Sequence, residues 1–170
     1  VGWLLLLFLG GTYTASVLRA FEEELEHAIA LTFFVPLLIG TGGNAGSQVV
    51  TTLVRAIAIE GLRLGDIPKI LPKEWGAGLL IAAVMGLAGF LRAELLGAGV
   101  LISLTVSIAI ICIVLWAVTV ATLLPLLLQR LRIDPAVVST PLITTLVDGT
   151  GLLIYLSIAR IVLSYGGTSV

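Results

Sequence analysis

Apolar residues run along this chain in five long blocks, separated by short stretches that hold nearly all of its charge. The blocks fall at about 1–18, 28–57, 75–91, 98–128 and 136–165. Each is long enough to cross roughly 30 Å of hydrocarbon as a helix. The second, fourth and fifth exceed that thickness at ~1.5 Å per residue, so they must tilt, break or project. The pattern predicts an all-α integral membrane protein with five transmembrane helices per chain, residues 1–170 forming one transmembrane domain.

Two of the blocks are not uniformly apolar. In "VPLLIGTGGNAGSQVVTTLV", Pro36 removes a backbone donor, while Gly40, Gly42, Gly43 and Gly46 weaken a helix. Asn44, Ser47 and Gln48 add polar groups at the same depth. "TPLITTLVDGTG" repeats the theme with Pro141, Thr144, Thr145, Asp148, Gly149 and Thr150. Freed backbone groups find no water in hydrocarbon, so both stretches must pack against protein or line a wet cavity. Helices two and five are therefore expected to be interrupted near the midplane. "PLLIGTGGN" also aligns with "PLITTLVDG", the trace an inverted repeat would leave. At helical spacing Pro141, Thr144, Thr145, Asp148, Gly151, Leu152 and Tyr155 share one face, polar or small up to Gly151, which predicts a polar stripe toward a pore or bundle interior. Gly78, Ala82 and Gly86 form a small-residue stripe suited to close helix contact.

Composition agrees with the membrane reading: 59% of residues are hydrophobic, 11% are charged, and mean hydropathy is +1.20. The net charge of −1 hides an asymmetry. Arg55, Arg63, Lys69, Lys73, Arg130 and Arg132 fall on one side of the spans, and Arg19, Arg92 and Arg160 on the other. The positive-inside bias puts the N-terminus in the cytoplasm and the C-terminus outside. "GDIPKILPKEW" is expected to lie along the inner interface, with Trp75 at headgroup level. Cys112, the single cysteine, is read as packing. The first apolar run starts without a charged leader region, so the chain is expected to be a membrane domain cut from a longer protein. Glu22, Glu23, Glu24 and Glu26 either form a solvated turn or concentrate cations at an outer entrance, and His27 beside them is a solvated residue or a metal ligand.

The chemistry centres on Asp148. A carboxylate at the bilayer centre costs about 2.5–3.5 kcal/mol even on the lenient insertion scale. It is either structural, bonded to Asn44 or to threonine hydroxyls, or a proton carrier, or a cation site. No second acid or histidine at depth supplies a proton relay. The hydroxyls, amide and backbone carbonyls nearby are hard oxygen ligands, suited to Mg²⁺, Mn²⁺ or Ca²⁺ and not to zinc or copper(I). One acid per chain cannot hold a bare divalent ion, but two Asp148 side chains on a twofold axis would suit a hydrated Mg²⁺. An intramembrane aspartyl protease needs two carboxylates and a serine protease needs a histidine within reach, so no enzyme is expected. Asp134 before Pro135 reads as an N-cap with proline at the first helical position.

"PLLIGTGGNAGSQ", "RIDPAVVSTPLITTLVDGTG" and the five-span layout together resemble the membrane domain of the MgtE family of magnesium channels, of the kind found in thermophilic bacteria. The resemblance covers essentially the whole chain. It implies a homodimer with the path on the twofold axis between helices two and five, passive Mg²⁺ influx, and Mg²⁺-sensing cytoplasmic domains ahead of the first helix. It implies ion binding and selectivity at Asp148, with Asn44 foremost among the lining residues. Ala45, Thr144 and Thr145 would shape the cavity, and Asp134 would lie where metal ions clamp the closed state. Mn²⁺, Co²⁺ or Ca²⁺ would substitute weakly, and no nucleic-acid partner is expected. Two other classes stay open: a secondary transporter exchanging a divalent cation for Na⁺ or H⁺, and a membrane scaffold without transport.

Overall fold

The computed structural model describes residues 2–165, and of residues 27, 136–139 and 165 the backbone alone. Every regular element among them is helical. In chain order these are α1 (Gly2–Ala20), α2 (Glu22–His27), α3 (Ile29–Thr32), α4 (Val35–Glu60), a 3₁₀ turn (Leu64–Asp66), α5 (Ile67–Leu95), α6 (Val100–Arg130) and α7 (Pro135–Tyr165). Five stretches among the described residues are long and apolar enough to span a membrane: Gly2–Ala20, Ile29–Glu60, Leu64–Leu95, Val100–Arg130 and Thr140–Ser164. These are the five expected spans.

Helix α6 is the axis of the bundle, packed by α4, α5 and α7. It is apolar on nearly all sides, so several faces can be covered at once. Val106, Ala109, Ile110, Ile113, Val114, Ala117 and Val118 are all buried. Helix α1 is the opposite case. It leans on α7 through one face and leaves Leu4, Phe8 and Leu9 at 68%, 77% and 69% exposure, the surface expected where lipid takes the place of protein.

The expected midplane interruptions are absent. Both α4 and α7 run unbroken through their glycine-rich stretches. The break on the second span comes earlier, at Phe33 and Phe34, and Pro36 lies in the first turn of α4, where its missing N–H has no helical partner to lose. The glycines instead set contact distance. A Cβ on Gly42 would stand 2.6 Å from Ile113 Cγ2 and 2.8 Å from Val147 Cγ1, so only a bare backbone fits there. Gly86 on α5 plays the same part against α6, where a Cβ would reach 2.8 Å from Ile111 Cγ1.

"GDIPKILPKEW" is likewise not a separate interfacial piece. From Ile67 onward it is the start of α5, continuous through Pro72. Pro72 lies inside α5, in its second turn, and forfeits one backbone hydrogen bond there. Trp75 Nε1 donates to Thr119 Oγ1 on α6 at 3.0 Å, which ties that end of α5 to the bundle. At the far end of α6, Arg132 adopts φ 60. Its N–H donates to Gln129 O at 3.0 Å and that of Ile133 to Leu128 O at 3.0 Å, a Schellman closure with arginine in the place glycine usually takes.

Candidate functional site

Asp148 sits on α7, half-buried, against the glycine face of α4. A Cβ built on Gly43 would lie 3.6 Å from Asp148 Oδ1 and 3.6 Å from Thr144 Cγ2, so carboxylate and threonine meet the bare α4 backbone together. Gly43 and Asp148 are also the positions paired when the two polar stretches are aligned. Thr144 is one turn from Asp148 on α7, which puts both on one side of the helix. Its Oγ1 donates to Pro141 O at 2.9 Å, and that of Thr145 does the same at 2.9 Å. With each proton committed to a carbonyl, both oxygens keep lone pairs able to accept from water or a cation.

Among the described residues, no donor hydrogen-bonds to the Asp148 carboxylate and no arginine or lysine pairs with it. The expected structural alternative, a bond to Asn44 or to threonine hydroxyls, is not formed. Arg160, on the same helix, is engaged elsewhere. It pairs with Glu24, and its Cζ stands 4.7 Å from the centroid of the Phe21 ring. One of the four glutamates of α2 is therefore tied to a cation, while Glu22, Glu23 and Glu26 are exposed. The side chain of His27 lies outside the described residues.

The remaining candidate residues are not gathered around Asp148. Asn44 follows Gly43 and so points about 100° further round α4. It is exposed and, with Thr41, Ala45, Gln48, Met85 and Val114, lines a cavity of about 150 Å³ between α4, α5 and α6. Ala45 faces that cavity. Thr145 faces α1, where a Cβ on Gly10 would come 2.5 Å from Thr145 Cγ2. Asp134 is exposed and directly precedes Pro135, the first residue of α7, as an N-cap would. Fourteen residues from Asp148, it is about 21 Å away along the helix. Among the described residues, no cluster of three or more His, Cys, Asp or Glu side chains could hold a metal ion by itself.

Two contacts that place α7 involve residues to which sequence reasoning gave no partner. Tyr155, two turns beyond Asp148 and fully buried, donates its hydroxyl to Leu31 O at 2.9 Å, beside the break that precedes α4. Trp116 Nε1 on α6 donates to Thr150 Oγ1 at 2.7 Å, two residues past Asp148. A buried tyrosine in a membrane span needs a partner for its hydroxyl, and that was the available signal.

These features define an integral membrane helical bundle with one unpaired carboxylate at depth, facing a glycine surface. The family model described as "MgtE: Divalent cation transporter" matches residues 35–158, and the chain belongs to that family. It is 45% identical over 163 residues to the "Magnesium transporter MgtE" of Thermus thermophilus, covering 96% of this chain and 36% of that protein. Proteins of the same name match from Enterococcus faecalis (33% identity, 96% of this chain and 36% of the relative) and Bacillus subtilis (31%, 92% and 35%). The chain thus spans about a third of the length of these relatives.

Proposed function

We propose that this chain is the ion-conducting part of a magnesium channel that passes hydrated Mg²⁺ passively across a bacterial inner membrane. The observation that carries the reading is Asp148: a carboxylate inside a membrane span, half-buried and without a hydrogen-bond donor or counter-charge among the described residues. Such a group is costly unless its function requires it. Beside it Thr144 offers a further oxygen, and all the oxygens are of the hard kind that Mg²⁺ takes through retained water. Mn²⁺, Co²⁺ and Ca²⁺ are weaker substitutes.

Two copies of the chain complete the path. Asn44 and Gln48 on α4 and Pro141 on α7 are exposed, and Ser47 partly so. A polar surface at this depth is not one that lipid can satisfy. A second copy related by a twofold axis covers it and brings a second Asp148 to the ion. The N-terminus is cytoplasmic, the C-terminus lies outside, and Mg²⁺-sensing domains ahead of α1 in the longer protein close the path when Mg²⁺ is plentiful. Asp134 lies at the cytoplasmic mouth.

The test is Mg²⁺ uptake into liposomes under an imposed membrane potential, with Na⁺ and proton gradients set to zero, inward and outward in turn. A channel predicts uptake that follows the potential and ignores both gradients. Uptake that requires one of them contradicts the proposal and establishes an exchanger, and no uptake at all leaves a scaffold.

A further inference from the structure

We infer that Arg63 and Arg130 form a binding site for the phosphate of an anionic phospholipid headgroup. Both line a cavity of about 350 Å³, walled also by Leu64, Gly65, Leu126 and Gln129. Arg130 is the last residue of one membrane span, and Leu64 is the first of another. The cavity therefore opens at the level where headgroups sit.

Its chemistry is one-sided. The walls carry two guanidinium groups and one amide, and no acid. Asp66, the nearest acid in sequence, accepts the Arg63 backbone N–H at 2.9 Å and lines the neighbouring depression with Lys69 and Lys73 instead. Among the described residues neither guanidinium is in an ion pair. Two unpaired guanidinium forks are matched to phosphate oxygens, which they hold through paired N–H donors. Basic pockets between membrane helices take anionic headgroups in this way. The apolar wall points to lipid and away from a free anion. Leu62, Leu64 and Ile67 are only partly buried where they pack over the buried Leu53, Ile57 and Leu126, and they leave an apolar edge for the first carbons of an acyl chain.

Native mass spectrometry of the whole chain in detergent tests this without reference to ion conduction. Phosphatidylglycerol, phosphatidylcholine and inorganic phosphate are added separately, then phosphate in competition with phosphatidylglycerol. The wild type retains phosphatidylglycerol in preference to phosphatidylcholine. The double variant Arg63→Gln/Arg130→Gln loses that preference, with retention falling on the order of tenfold. Lys69→Gln/Lys73→Gln removes the same charge next door and keeps the preference. Each arginine is also changed singly, so a double variant that fails to fold still leaves two readings. Equal retention by the arginine variants, or equal loss in the lysine variant, overturns the site. Displacement of phosphatidylglycerol by millimolar phosphate makes it a free-anion site and overturns the lipid assignment.

Discussion

Helix α4 meets α7 through glycines and leaves its amides exposed at the cavity it shares with α5 and α6, whereas α7 buries a tyrosine and aliphatic residues and leaves a carboxylate half-exposed at the crossing. Gly42, Gly43 and Gly46 of α4 are buried, and on α7 so are Ile143, Val147, Leu152 and Tyr155. The difference teaches what each helix contributes. Helix α4 supplies a backbone surface near enough for Asp148 to lie against it. Helix α7 supplies the charge, held in register by Tyr155 at one end and Thr150 between. Neither job needs the helix to be broken.

The sharpest way to break the comparison is to give α4 a side chain where α7 and α6 press on it. Gly42→Ala is expected to destabilise by about 1–3 kcal/mol through overpacking against Ile113 and Val147. Thermal unfolding in detergent reads it. The register of α7 comes next. Tyr155→Phe removes the hydroxyl from Leu31 O and is expected to cost about 1 kcal/mol. Hydrogen exchange localised to 31–36 should show the break loosening before the rest of the bundle.

A smaller effect of opposite sign marks the outer face of α4. A Cβ at Gly40 meets nothing within 4 Å. Gly40→Ala is thus expected to stabilise by about 0.5–1 kcal/mol through helix propensity, which the same melt detects. The contrast between Gly40 and Gly42 separates a glycine that weakens the helix from one that the contact requires. The smallest effect belongs to the Arg160–Glu24 pair between α7 and α2. Arg160 is 57% exposed, so Glu24→Gln should cost no more than about 1 kcal/mol. That difference should shrink as salt is raised, since added ions screen exposed charges.

Hydropathy alone made the five spans legible, because a stretch that crosses a bilayer leaves few alternatives. The stripe through Pro141, Thr144, Asp148 and Tyr155 was legible from helical spacing, and its Thr144 and Asp148 do meet α4 together. Interruption was misread because glycine in a helix carries two meanings, weakness or contact, and only the neighbour decides between them. For Gly42 that neighbour is Ile113, on a helix whose placement no local pattern reveals. Likewise no local pattern reveals that Ala45 lies at the cavity beside α5 and α6 or that Thr145 lies against α1. Sequence spacing says which residues share a face, but not whether α1, α5 or α7 will cover it. The partner of Tyr155 is 124 residues away, out of reach of any local rule.

The most direct test of the central claim compares Mg²⁺ uptake by liposomes carrying the wild type with uptake by Asp148→Asn, with Ca²⁺ and Na⁺ as competitors. The substitution keeps shape and removes the charge. If Asp148 holds the passing ion, the wild type favours Mg²⁺ and the variant loses either uptake or its preference among ions, while its melting temperature does not fall. Equal and equally selective uptake by the two proteins would contradict the account and leave Asp148 with a structural role alone.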